Sequence, residues 1–202
     1  MDVSLLTAEE KMYIVRNHCS SWFRYYEEEH PKNSRTQRRK KKFIKETAPI
    51  AVYMYLFQGD VLPSVKISQA AIESGYCKTK SCKRKNNVFN IKSKVCTPKK
   101  CVHKLPCTNI NDDDPEDMFL SFRSRWDSFA GHGSLIKKSK NSKGNYRYRK
   151  ALKRNSAVEQ IEIIRKGGYA TLDYDKFIRR HKRITDELVT LDEMAKNLKE
   201  QF

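Results

Sequence analysis

The chain has 202 residues, enough for one domain of ordinary size with a substantial core. Aromatic residues make up 10% of it, which excludes wholesale disorder, and no apolar run reaches the roughly 18 residues that a membrane span requires. A formal charge of +18 calls for a polyanionic partner or environment, whether nucleic acid, a bacterial envelope polymer or an anionic lipid surface.

The first ten residues, Met1 to Glu10, have neither the basic start nor the long apolar core of a signal peptide. The expectation is synthesis in the cytoplasm and delivery by some other route. Thr7-Ala8-Glu9-Glu10 reads as a capping box that opens an amphipathic helix. Met12, Val15, Cys19, Trp22, Phe23 and Tyr26 form its apolar stripe, which fades near Glu29 before Pro31. Lys32 to Lys42 then carries seven lysines and arginines and no acid; it reads as a solvated linker, with a polyanion-binding arm as the functional alternative.

From Phe43 the composition turns globular. Phe43, Ala48, Ala51, Val52, Tyr55 and Leu56 predict a buried helix that breaks around Gly59-Asp60. Next comes Pro63 to Tyr76, in which Ile67, Ala70, Ala71 and Ser74 recur at the spacing of one helical face. Pro63 suits the first turn and Gly75 the stop, so Glu73 falls in the last turn of an otherwise apolar helix. The negative end of the helix dipole and apolar neighbours both raise the pKa of a carboxylate there. A carboxylic acid kept protonated near neutral pH is what glycosidic bond cleavage needs as its proton donor. The plainer alternative is a helix-end glutamate turned to water.

Asn86 to Lys92 predicts a turn and a strand-like segment, and residues 93–118 an irregular β-lobe or loop with acids at Asp112, Asp113, Asp114, Glu116 and Asp117. Met118 to Phe122 predicts a short strand. Helical patterns follow at about 126–139, 146–153, 156–166 and 173–183, with a stop at Gly167-Gly168. Leu188, Leu191, Ala195, Leu198 and Phe202 predict a terminal amphipathic helix. Five of the six cysteines lie close together, with pairs Cys77/Cys82 and Cys96/Cys101 and with Cys107 and His103 near them. A structural zinc site held by Cys77, Cys82, Cys96 and Cys101, disulfides, and free thiols all remain open, since zinc pairs are usually closer in sequence.

The ordered set of motifs resembles the glucosaminidase family of peptidoglycan hydrolases, glycoside hydrolase family 73, which includes autolysins and the flagellar rod-associated muralytic domain. Leu62 to Tyr76 with its Ala71-Ile72-Glu73-Ser74-Gly75 core, Asn86 to Lys92, Phe122-Arg123, Asp127-Ser128-Phe129, His132, and Gly168 to Tyr174 carry the resemblance, from about Phe43 to Ile184. It implies an α+β, mainly α fold, with a lysozyme-like helical body and a small β-lobe flanking a glycan groove. It implies residues 43–184 as the catalytic domain, and the residue patterns add 1–42 as an N-terminal helix and basic linker and 185–202 as a C-terminal helix. Glu73 takes the place of the family's catalytic acid and Tyr169 that of the tyrosine of its Gly-Tyr-Ala-Thr motif. Tyr76 stands where the family commonly has Trp, and the cysteine-rich insert is not a general family feature.

A two-acid glycosidase needs a second carboxylate, as nucleophile or as base. Asp114, beside the Pro115 turn, is the favoured base; a substrate N-acetyl group serving as its own nucleophile is the alternative, with Tyr169 orienting it. Sugar rings stack on aromatics and need planar polar partners, so Gln69, Tyr76, Asn87, Phe89 and Tyr174 are the candidates for substrate binding, Phe89 with a core role as its alternative. Trp126, Asp127, Ser128 and His132 read as support for the fold. No catalytic cofactor is expected.

The leading function is cleavage of the peptidoglycan glycan strand as an endo-β-N-acetylglucosaminidase. A muramidase or lytic transglycosylase on the same polymer is the alternative within the class. Outside it stand a basic nucleic-acid-binding protein and a silent structural module of a virion. No recognised nucleic-acid motif appears, so no specific nucleic acid is expected. The partners expected are the glycan strand, an anionic envelope surface and virion components, with phage-type release or carriage on a virion as the route to the cell wall.

Overall fold

A computed structural model describes residues 3–31, 34–93, 118–170 and 172–202, together with the backbone of 107–109. The expected class, α+β and mainly α, is what it shows: eight α-helices and one two-stranded sheet among the described residues. The contacts divide the chain into two compact units, one of residues up to Ser68 and from Gly133 onward, the other of Gln69–His132.

The larger unit is helical. Helix α1 (Ala8–Glu29) opens with the capping box read from the sequence: Thr7 Oγ1 accepts from Glu10 N, and the Glu10 carboxylate accepts from Thr7 N at 2.8 Å. Its stripe of Val15, Cys19, Trp22, Phe23 and Tyr26 is buried, and the helix packs on α2 (Arg35–Gln58). Helix α2 corrects the linker reading for Arg35 to Lys42; residues 32 and 33 lie outside the described residues. Ser34 Oγ accepts from Gln37 N and starts the helix at Arg35, so Arg35 to Lys42 form its first two turns. Lys41, expected in solvent, is buried and donates its ammonium to Glu27 O at 3.0 Å. A lysine can lay its stem along apolar surface while its head finds a carbonyl, which is how one member of a charged run can be buried. Gly59, in the left-handed conformation (φ 58°), ends the helix, as Gly59-Asp60 suggested.

Helix α3 (Pro63–Ser74) contributes its first half to this unit and its second half to the other. That first half is wholly buried, and long-range side chains satisfy its polar groups. Gln160 Oε1, on α6 (Ala157–Lys166), accepts from Leu62 N at 2.9 Å. Asp192, on α8 (Val189–Gln201), accepts from Ser64 N at 2.8 Å and Ser64 Oγ at 2.5 Å. His181, on α7 (Tyr174–Glu187), shares a 2.9 Å hydrogen bond with Ser68 Oγ. Lys66 meets Asp60 at 2.5 Å with both side chains out of solvent. Gly133 lies against that pair, where a Cβ would run into the Asp60 carboxylate. Burial pushes the Asp192 carboxyl up to about 6 and the His181 imidazole down to about 4.

The smaller unit holds the rest of α3, helix α4 (Lys80–Lys85), the first part of α5 (Arg125–Lys138), and strands β1 (Cys107–Asn109) and β2 (Met118–Leu120). The strands pair antiparallel, with Thr108 opposite Phe119. The turn and strand-like segment predicted at 86–92 are both present: the turn leads into an antiparallel bridge, Lys92 to Phe119, flanked by bonds from Leu120 N to Ile91 O and from Ser93 N to Met118 O. Helix α4, capped by Thr79 Oγ1 accepting from Cys82 N, was not anticipated.

Candidate active site

Glu73 is in the last turn of α3, half-buried, with Ala70, Ala71 and Ser74 closed off from solvent around it. Burial raises its carboxyl from 4.5 to about 7. Half of such groups are then protonated at neutral pH, the state a proton donor requires. The backbone on both sides fixes its position. Its carbonyl accepts from Asn90 Nδ2 at 2.7 Å, which ties the 86–92 turn to the helix end. Ser74 Oγ donates to Ala70 O at 2.6 Å and accepts from Cys77 N at 2.9 Å.

The chain leaves α3 through three consecutive left-handed residues, Gly75 (φ 58°), Tyr76 (φ 56°) and Cys77 (φ 59°). Glycine adopts this conformation freely, whereas Tyr76 and Cys77 do so at a cost of about 1–2 kcal/mol each. Bonds from Tyr76 N to Ala71 O and from Lys78 N to Ser74 O hold the turn, and a disulfide joins Cys77 to Cys82. Both sulfurs are thereby taken out of the four-cysteine zinc set, because a disulfide sulfur is not a thiolate ligand. Cys96, Cys101 and His103 lie outside the described residues, and of Cys107 only the backbone is described.

Gln69, Tyr76, Asn87 and Phe89 belong with Glu73 to the smaller unit. Two of them require correction as sugar-facing residues. Asn87 is fully buried, and its amide is spent on the backbone: Nδ2 donates to Ile91 O and Leu120 O, and Oδ1 accepts from Ile91 N. Phe89 is buried, edge-on to Phe129 and stacked on His132 at 4.0 Å between ring centres. These side chains shape the turn that carries Asn90. Ser128 and His132 support the fold as expected, both fully buried, with Ser128 Oγ accepting from Val88 N. Gln69 is one turn before Glu73, also buried, and its Oε1 has no hydrogen-bond partner among the described residues.

Tyr169 and Tyr174 belong to the larger unit. Tyr169 follows the Gly167-Gly168 stop, half-buried and edge-on to Tyr148, and Arg147 Nε donates to Gly167 O at 2.7 Å. Tyr174 is the first residue of α7, after the Asp173 cap. Thr171 and the five acids of 112–117, Asp114 among them, lie outside the described residues. No group of three or more metal-ligating side chains occurs among the described residues. The sequence reading missed Asn90 and the buried anchors of α3. Asn90 had a local signal, an asparagine in a turn able to take positive φ (48°), but the anchors come from 98 or more residues away.

The profile of the glucosaminidase family, described as mannosyl-glycoprotein endo-β-N-acetylglucosaminidase, matches residues 51–186, more than half of the chain. The fold is similar to the catalytic domain of the autolysin Auto from Listeria monocytogenes, at 16% identity over 81% of this chain and 90% of that one, TM-score 0.58. It is similar to the glycoside hydrolase domain of Salmonella typhimurium FlgJ at 19% identity over 80% and 96%, TM-score 0.57. For a peptidoglycan hydrolase from Sphingomonas sp. A1 the values are 21% over 74% and 94%, TM-score 0.55. No curated protein sequence matches the chain. With the profile spanning α3, the 86–92 turn and the Gly168-Tyr169 segment, the chain belongs to the glucosaminidase family of glycoside hydrolases.

Proposed function

We propose that the protein is an endo-β-N-acetylglucosaminidase that cuts the glycan strand of peptidoglycan, with Glu73 as its proton donor. The observation that carries this reading is a glutamate at the end of an apolar helix whose carboxyl burial raises to about 7. Family membership supports the glycosidase chemistry. The names of similar structures, an autolysin and a peptidoglycan hydrolase, support the polymer.

In the proposed reaction the Glu73 carboxyl gives its proton to the glycosidic oxygen as the bond to the anomeric carbon breaks. Positive charge develops on that carbon and the ring oxygen. Water completes the cleavage, activated by Asp114 as base, or entering after the substrate's own N-acetyl oxygen has closed on the anomeric carbon with Tyr169 orienting that group. Tyr76, half-buried beside Glu73, remains a candidate sugar platform, and Tyr174 a second; Gln69, a turn before the acid, offers it a polar neighbour. No metal enters the chemistry proposed. Delivery by phage-type release or on a virion belongs to the same proposal and rests on small size and high lysine content.

Identifying the sugar at the new reducing ends of digested cell wall tests the bond assignment. N-acetylglucosamine is expected. N-acetylmuramic acid would make the protein a muramidase, and new anhydro-muramic acid termini in place of reducing ends a lytic transglycosylase.

A further inference from the structure

Between Asp127 and Glu159 the chain contains nine lysines and arginines and no acid. Residues 139–147 of this stretch, in the helical unit, fold into a tight turn. Arg147 N donates to Ser139 O, Asn141 N to Asn145 O and Gly144 N to Asn141 O, while Asn141 Oδ1 accepts from Lys143 N and Asn145 N. The stem is fixed by buried Tyr148 and by Arg147 on the Gly167 carbonyl. Residues from Lys140 to Tyr146 are exposed. Lys140 Nζ is 4.9 Å, and the Arg149 guanidinium 4.6 Å, from the centre of the Tyr146 ring. One aromatic ring thus gathers two like charges, with Lys143 at the tip of the same turn. Lys140, Lys143 and Arg149 form no ion pair among the described residues.

We propose that this turn docks a linear, base-free polymer of phosphate groups, gripped by Lys140, Lys143 and Arg149 around Tyr146. Cations held together against their own repulsion favour an anion that relieves it, and an arginine fork matches phosphate oxygens. The ordered turn binds without first paying for its own ordering. Single-stranded nucleic acid fits less well, because bases need an open aromatic face and Tyr146 already carries two cations. A lipid surface fits less well too, because the tip, Asn141 to Asn145, has no apolar side chain to insert. The inference rests on the wall-glycan reading only for where such a polymer is met.

The test measures binding of the full-length protein to sodium polyphosphate, to single-stranded DNA of equal charge, and to phosphatidylglycerol vesicles, across a salt series. Lys140→Gln/Lys143→Gln/Arg149→Gln is compared with Lys176→Gln/Arg179→Gln/Arg180→Gln. The latter removes equal charge from exposed positions on α7, a helix that also carries Asp175 and Asp186. The turn variant should bind polyphosphate at least ~10-fold more weakly at low salt, with a shallower salt dependence, and the α7 variant should lose less than ~3-fold. Ser142→Glu, which leaves the three cations in place and sets a carboxylate among them, should also weaken binding. Equal losses in the two triple variants, no polyphosphate binding by wild type, or tighter binding of DNA or vesicles that the turn variant abolishes would each overturn the proposal. Turnover of a short soluble glycan, measured in parallel, should be unchanged in the turn variant. If wild type itself fails to cleave it, the glycosidase reading falls and the binding result stands on its own.

Discussion

Replacing Glu73 with glutamine should stabilise the protein, and by an amount that depends on pH. Its carboxyl has an ordinary value of 4.5 and a folded value of about 7, burial being the cause. Between those two values the folded chain binds more protons than the unfolded one, so stability falls as pH rises, by about 1.4 kcal/mol per pH unit. Over the whole interval the loss is about 3 kcal/mol, complete once pH exceeds 7. Below pH 4.5 both states are protonated and the penalty is absent. Glutamine is nearly isosteric and never ionises, so Glu73→Gln escapes the penalty altogether. For a chain of this length 1 kcal/mol moves the melting temperature by roughly 2–4 °C, so the variant should melt about 6–12 °C above wild type at pH 8. Near pH 4 the two should almost coincide. Thermal melts of both proteins from pH 4 to 8 provide the assay. A difference that stays flat across that range would refute the buried, proton-holding state of Glu73.

The same group should shape the pH dependence of turnover: on a short uncharged glycan, kcat/KM should fall about tenfold per pH unit above 7 as the donor proton is lost. An undiminished rate at pH 9 would exclude Glu73 as the acid. Reducing the Cys77–Cys82 disulfide opens a short loop and should cost about 2 kcal/mol on the chain-entropy account, read as a lower melting temperature with two additional titratable thiols. No change in thiol count would show that the pair is not bonded. Asp60→Asn strands the buried Lys66 ammonium and should destabilise by about 3–5 kcal/mol, whereas Asp60→Asn with Lys66→Met should recover much of that loss. A double variant no more stable than the single would refute the pairing.

The sequence disclosed the parts of the fold whose signals are local. The Thr7–Glu10 box, the apolar face of α3 with Glu73 at its end, and the Gly59 and Gly167-Gly168 stops all stand close to where the residues put them. The run from Lys32 to Lys42 misled because charge density masked the helix start supplied by Ser34, and because a lysine can bury its stem, as Lys41 does. Helix α4 is short, basic and without an apolar period, and its one local signal, the Thr79 cap, is too weak alone to announce it. At the site, Asn87 and Phe89 have the chemistry of sugar-binding residues, but an amide satisfied by three backbone groups and a phenyl ring between Phe129 and His132 serve the turn equally well. The pairs that seat α3, Ser64 with Asp192 and Ser68 with His181, span more than a hundred residues, and no local pattern announces them.

The central claim is that Glu73 supplies the proton that breaks a glycosidic bond. Counting new reducing ends released from purified peptidoglycan at pH 6, by wild type and by Glu73→Gln at equal folded concentration, tests it most directly. The account predicts that the variant, folded and more heat-stable at neutral pH, releases ends at least ~10²-fold more slowly. Release by Glu73→Gln at close to the wild-type rate would contradict it.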